Sequence, residues 1–510
     1  MGNPLLDNLK NKHVITYISV IVRHWIAPPI PERQDTMWIR KTAKDKQAGE
    51  GTPIPTQIVS NEEIPPLPQT EDQKAVEQKI RELADQFASK LGITRREFLK
   101  TSGGMVTGFL AMNAIHGCAY KVTEDEALDE AAYLEGRPKN QFIFDAQTHH
   151  VKDSITGPMM FRKLTAKAGL NPALLDADLG RGTLHRGNFV KEIFFDSDTV
   201  MAIMTGATLG PPEHYALPAE EMVKTRDMVN AAAGSQRMLS HGLANPVEPS
   251  FVPEGMDWQV EELGIDGWKC YTGNPSGAWR MDDEAVAYPF FEKSLELGIK
   301  NISLHKGLPL PGRFESYFNV DDIMQAAKDF PDINFIIYHS GMKHMMTMIP
   351  PGESGIDEDG NLPWTTDLVR MQKENPDVTN VYAELGAVFG HSVVTHPEIC
   401  GHLMGQLMDG FGPEKIIWGT DCIWWGSPQW LIEAFRRYQM PEELKDKYGY
   451  VDLTAADREL IFGRNIAGLY GVDIEAARTE IPGDSLSSMK SAYINEGPEP
   501  SNTQYGWVAV

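Results

Sequence analysis

Between residues 141 and 471 the chain repeatedly alternates a short apolar, β-rich run with a longer stretch of helical periodicity. That alternation is the feature that most restricts its fold. The runs are Phe142–Ala146, Val200–Thr205, Met238–Ala244, Gly267–Tyr271, Asn301–His305, Phe335–His339, Val381–Leu385 and Ile416–Thr420. Strands that alternate with helices pair in parallel, because a crossover helix returns the chain to the same edge. Eight such units predict an α/β protein built as a (β/α)8 TIM barrel with inserted loops and a long N-terminal extension.

Polar side chains fall at the C-terminal ends of these runs. Gln147 and His149 follow the first, Lys269 ends the fourth, His305 the fifth, His339 the sixth and Glu384 the seventh, and Asp421 follows the eighth. In a barrel those ends share one mouth, so residues far apart in sequence converge. A single histidine with apolar neighbours is ordinarily a core residue satisfied by hydrogen bonds. Two at successive strand ends, with an aspartate at a third, point instead to a site. Imidazoles and a carboxylate suit zinc, or manganese where oxygen ligands are more numerous. By alternation His150 points away from His149, and it replaces a ligand only if the strand kinks there.

The segments Phe144-Asp145-Ala146-Gln147-Thr148-His149, Gly267-Trp268-Lys269, Ser303-Leu304-His305, Tyr338-His339-Ser340-Gly341, Ile417-Trp418-Gly419-Thr420-Asp421 and Phe462 to Gly471 occur in that order. Together they resemble the amidohydrolase-related metal-dependent hydrolases, in the branch with aminocarboxymuconate-semialdehyde decarboxylase and the resorcylate decarboxylases. The resemblance covers residues 141–471. It implies one divalent metal ion, zinc or manganese, held by Gln147, His149, His305 and Asp421. It also implies that Asp421 and His339 are catalytic, His339 as acid, base or electrophile. Gln147 stands where the family has a histidine and offers only a neutral amide oxygen.

Lys269 is expected to contact a substrate anion or to pair with Glu384; a carboxylated bridging lysine, as in two-metal relatives, is disfavoured by Gln147. Arg280 is the candidate for a substrate carboxylate. Trp424, Trp425 and Trp430 follow Asp421 and either sandwich a planar substrate, Trp424 first among them, or pack against the N-terminal region. Pro350–Pro363, with Gly352, Gly355 and Gly360 among acids, reads as a lid or a solvated excursion. His391, His396 and His402 carry no assigned role.

Three functions follow from this reading. The first is metal-assisted hydrolysis of a C–N or C–O bond in a small molecule. The second is non-oxidative decarboxylation of a small aromatic acid. The third is a non-catalytic barrel acting in binding or assembly. The resemblance further implies a homodimer, with the N-terminal arm as a candidate contact.

Residues 1–69 are rich in proline and charge and read as an extended arm. Residues 70–140 are helical: Thr70 and Gln73 form a capping box before Val76, Ile80, Leu83, Phe87 and Leu91 at helical spacing. Within them Thr94-Arg95-Arg96-Glu97-Phe98-Leu99-Lys100 and the glycine-rich apolar run to Gly117 resemble a twin-arginine export signal. Thr94 and Glu97 are equally a capping box for an ordinary helix. No clean cleavage site follows, and Cys118 ends only an imperfect lipoprotein box. Export to a periplasm and retention in the cytoplasm both stay open. Residues 472–510 form a C-terminal tail.

Lys and Arg number 47 against 71 acids, a net charge of −24 that leaves nucleic acid an unsuitable partner. The apolar stretches Val14–Val22 and Met105–Ile115 fall short of the ~20 residues a membrane helix needs. Cys118, Cys270, Cys400 and Cys422 are too widely spaced for a disulfide framework.

Overall fold

The computed structural model describes residues 38–59, 66–117, 119–138, 141–152, 181–208, 212, 215–248, 254–274, 277–309, 314–344, 355–424, 426–500 and 506–510. Trp425, Cys118 and the first part of the expected lid lie outside them.

Eight parallel strands form one sheet in sequence order: β1 (Phe144–Thr148), β2 (Met201–Met204), β3 (Met238–Ala244), β4 (Gly267–Tyr271), β5 (Asn301–His305), β6 (Asn334–Tyr338), β7 (Val381–Glu384) and β8 (Ile416–Ile417). The sheet closes where the chain beyond β8 returns to β1. Ala146 N donates to Trp418 O (3.0 Å), Asp421 N to Gln147 O (2.9 Å), and His149 N to Cys422 O (2.6 Å). The TIM barrel expected from the sequence is therefore the fold. Strand β1 starts two residues later than expected, which carries Gln147 into the strand itself. Strand β8 is shorter, because the chain leaves the ladder after Ile417 to reach Asp421.

Strand alternation sorts the side chains into two apolar layers. Phe144, Met201, Ile203, Leu239, Ile336, Tyr338 and Ile417 form one cluster, joined from below by Ile466 and Ala467. Ala202, Met204, Ile302, Leu304, Phe335, Ile337, Val381, Ala383 and Ile416 face the helices in the other. The helix Asn465–Tyr470 closes the end opposite the site: Tyr470 Oη lies 2.6 Å from His241 Nε2, and Asn301 Nδ2 donates to Leu469 O at 2.9 Å. Among the described residues the end of the barrel opposite the strand C-termini is thus covered.

The described residues of the N-terminal region pack on the barrel, as where Lys121 N donates to Arg437 O at 2.7 Å and Gln73 Nε2 to Thr395 O at 3.3 Å. Trp38–Arg40 pairs antiparallel with Trp507–Ala509, and Lys41–Ala48 is helical, so part of the expected extended arm is regular structure. Helix α1 (Glu71–Leu91) starts at the predicted Thr70 capping box and ends at Gly92, whose φ of 69° is a left-handed stop. Helix α2 (Ser102–His116) packs on it. Among the described residues no helix is long and apolar enough to cross a membrane. Cys270, Cys400 and Cys422 are buried thiols, as expected of cysteines that pack as small apolar residues.

Just beyond β5, Lys306 Nζ lies 2.7 Å from Asp322, both side chains almost wholly buried, and it also donates to Tyr317 O (3.0 Å) and Asn319 O (2.9 Å). Removing one member leaves an uncompensated buried charge. Asp322→Ala is expected to cost about 3–5 kcal/mol, read as a lower denaturant midpoint at unchanged m-value.

Candidate active site

Asp145 organises the first half of the site. Its fully buried carboxylate accepts from Gln147 N (3.1 Å), Thr420 N (3.0 Å) and Thr420 Oγ1 (2.5 Å), binding the end of β1 to the end of β8. The β1–β2 register shifts between Asp145 and Thr148, and Asp421 adopts a φ of 59°. A non-glycine residue is rarely left-handed, and such conformations collect at functional sites. The outcome is a tight group: His149 Nε2 lies 2.8 Å from Asp421 Oδ1, and Gln147 Nε2 donates to the same oxygen at 2.9 Å. Burial pushes the Asp421 carboxyl up, but the hydrogen bond and charge of His149, with the charges of His339 and Lys269, hold it below its usual range.

The second half joins β5 and β6. His339 Nε2 lies 3.0 Å from His305 Nδ1. His339 and Ser340 are left-handed, with φ of 64° and 50°. Their turn is held by Glu384, which accepts from His339 N (3.2 Å) and Gly386 N (2.7 Å). A Cβ at Gly419 would fall 1.6 Å from Glu384 Oε1, so only glycine leaves the carboxyl room. Burial raises the Glu384 carboxyl well above its usual range. Burial also lowers His339 to about 4 and His305 well below its usual value, so both rings are neutral near pH 7.

The outward nitrogens of all three histidines meet carbonyls: His149 Nδ1 on Thr205 O (2.6 Å), His339 Nδ1 on Gly386 O (2.9 Å) and His305 Nε2 on Leu308 O (3.3 Å). Each carbonyl requires a ring N–H, which in the neutral His305 and His339 rings leaves the other nitrogen with its lone pair inward. Lone pairs then face each other at His305 Nδ1 and His339 Nε2. Such a contact calls for a proton or a cation between them. Gln147 Oε1 is buried beside them without a hydrogen-bond partner. These donors have the chemistry of a divalent-cation site, although among the described residues no three His, Cys, Asp or Glu side chains are gathered into a metal cluster.

Lys269 is fully buried, with Nζ 3.4 Å from the Tyr338 ring centroid and 5.1 Å from that of Tyr271. Its ammonium makes no hydrogen bond, and burial lowers it to about 7. The expected pair with Glu384 does not form, since that carboxyl is taken by backbone N–H groups. Tyr271 stacks on His305 at 4.3 Å, and Trp424 lies 5.8 Å from the His149 ring.

Arg280 corrects the expectation of a free carboxylate clamp. Its guanidinium is spent on Asp282 (2.8 Å) and Asp321 (3.1 Å). Trp430 is core rather than mouth. His150 turns away, its Nε2 2.7 Å from Thr225 Oγ1, so no kink brings it in as a ligand. Of the expected lid, the described part packs on the helix Pro397–Phe411, where Gln406 Nε2 donates to Gly360 O at 2.8 Å. His402 lies there too, 4.7 Å from the Tyr448 ring. Asp145 and Tyr271 have structural parts in the site that strand-end reasoning did not assign, and Glu384, placed at a strand end as a partner for Lys269, holds the His339 turn instead. Asp145 stood within the first-strand segment, but nothing in a sequence shows that it reaches Thr420.

Burial raises the Asp145 carboxyl to about 7. A carboxyl raised on folding binds its proton more tightly in the native state, so its contribution is greatest below about pH 4 and is lost as pH rises to about 7. Wild type is thus expected to lose stability relative to Asp145→Asn across that window, measured as the difference between their denaturant midpoints at successive pH values.

The family model for amidohydrolases matches residues 204–472, more than half of the chain. Similar solved structures include an uncharacterised TIM-barrel protein from Bordetella bronchiseptica, 14% identical with a TM-score of 0.42, covering 66% of this chain and 99% of that one. A 2,6-dihydroxybenzoate decarboxylase from Rhizobium is 15% identical with a TM-score of 0.37, covering 65% and 99%. A 4-oxalomesaconate hydratase from Rhodopseudomonas palustris is 14% identical with a TM-score of 0.37, covering 66% and 98%. No curated protein matches the chain. The chain belongs to the amidohydrolase family, whose members are metal-dependent enzymes.

Proposed function

We propose that the protein hydrolyses a C–N or C–O bond of a small molecule, with Gln147, His149, His305 and Asp421 holding one divalent cation, zinc or manganese. The observation that supports this reading is the convergence of His149 Nε2 and Gln147 Nε2 on Asp421 Oδ1 at 2.8 and 2.9 Å, with Gln147 Oε1 buried beside them without a hydrogen-bond partner. A cation held there supplies Lewis acidity to the water and to the carbonyl under attack. Asp421 takes a proton from the attacking water and returns it to the leaving group. His339, with Nδ1–H spent on Gly386, offers Nε2 as a second proton acceptor. Lys269 faces an anionic part of the substrate from beneath, and Trp424 flanks its planar or apolar part.

Elemental analysis of protein purified without chelator is expected to give near one zinc or manganese per chain, lost in His305→Ala. Asp421→Asn is expected to lower kcat on a responsive amide, lactone or ester by about 10²–10⁴-fold. A metal-loaded protein inactive across that panel would overturn hydrolysis. Gln147→His, which supplies the usual imidazole, is expected to tighten zinc binding about tenfold, measured by competition with a chromophoric chelator.

A second reading, decarboxylation, is favoured by the buried Lys269 ammonium, whose missing acceptor a substrate carboxylate would supply. Carbon dioxide release from hydroxybenzoates, abolished by Lys269→Met, is the outcome that would select it.

A further inference from the structure

The twin-arginine-like segment has no part in the chemistry above, yet the fold uses nearly all of it. Thr94 caps the short helix Arg95–Phe98, with Glu97 N donating to Thr94 Oγ1 (3.2 Å) and Thr94 N to Glu97 Oε2 (2.8 Å). Thr101 caps α2 through Gly104 N (3.2 Å). Phe98, Val106, Phe109 and Ala111 are fully buried, and Leu99 and Met112 nearly so. The glycines that make the run resemble a signal are packing requirements here. A Cβ at Gly103 would stand 2.3 Å from Ala127 O, one at Gly104 2.6 Å from Phe98 O, and one at Gly108 3.0 Å from the Ile54 side chain.

The segment is also tied at both ends. Phe98 meets Phe87 of α1 at 6.1 Å between ring centroids, and Phe109 meets Tyr120 at 4.8 Å. Immediately downstream, Lys121 N donates to Arg437 O (2.7 Å) and Gln439 N to Ala119 O (2.8 Å), which stitches the chain to the barrel. The two arginines are unequal. Arg95 is bound to Glu50 (2.7 Å), whose side chain is 8% exposed, and to Asp85 (2.8 Å). Arg96 is exposed and makes no ion pair among the described residues.

We propose that residues 94–117 are a permanent structural element of the folded protein, and that folding withholds the twin-arginine-like motif from any receptor that must grip both arginines and the apolar residues behind them. Residues 94–117 fill the space between Ile54, α1 and Ala127. Their loss would expose Phe87 and strip Tyr120 of its neighbour. The motif is thus an address only while the chain is unfolded.

The test is to express the full chain with a C-terminal tag in a bacterium that has an active twin-arginine translocase, then to fractionate the cells and weigh the intact protein. The expected product retains residues 94–117 and stays in the cytoplasm, and neither Arg95→Ala nor Arg96→Ala changes its location. Arg95→Ala is expected to lower Tm by about 1–3 °C, with Glu50→Gln acting in the same direction, while Arg96→Ala leaves Tm unchanged. A folded product beginning after residue 117 would overturn the proposal. So would a periplasmic product whose export is lost equally in Arg95→Ala and Arg96→Ala.

Discussion

The barrel seam is where fold and chemistry are the same problem. Closing the sheet requires the end of β1 to meet the chain beyond β8, and Asp145 makes that junction by accepting from Thr420 on one side and Gln147 on the other. Holding Asp421 in a left-handed conformation has a cost that an isolated turn would not sustain. The seam sustains it because backbone bonds from Asp421, His149 and Ile423 cross at the same place. Asp421 therefore meets His149 and Gln147 as a consequence of closing the barrel.

Burial sets the charge states around that seam. Desolvation keeps His305 and His339 neutral and brings Lys269 toward neutrality, while the carbonyls of Thr205, Gly386 and Leu308 choose which ring nitrogen carries the hydrogen. The lone pairs of His305 and His339 are thereby aimed inward before any ligand arrives, so less reorganisation is left for the reaction itself.

Outside the mouth, a second buried network binds the N-terminal region to the barrel. Glu433 receives Arg436 (2.8 Å) and Arg437 (3.1 Å), Arg437 continues to Glu126 (2.7 Å), and Tyr133 donates to Glu433 at 3.1 Å. Neighbouring guanidinium groups hold Asp198 far below the usual carboxylate range despite its burial. Removing a single member would leave buried charge unpaired, so this network resists detachment of residues 71–138 from the barrel.

The alternation of apolar runs and helical stretches was enough to establish the barrel, because strand and helix periodicities are local properties of a chain. The same locality put Gln147, His149, His305, His339 and Asp421 at strand ends, and a strand end has only one mouth to face. Which ring nitrogen points inward, that Arg280 is spent on Asp282 and Asp321, and that Lys269 rests on Tyr338 rather than Glu384 were decided by tertiary structure alone. Most of these contacts need a partner tens of residues away, Thr205 for His149, Gly386 for His339, Asp321 for Arg280 and Tyr338 for Lys269. The twin-arginine-like run shows the limit most plainly. Glycines and apolar residues that read as an address in sequence are, in the fold, the close contact of Gly103, Gly104 and Gly108 with Ala127, Phe98 and Ile54, and only the packed neighbours distinguish the two.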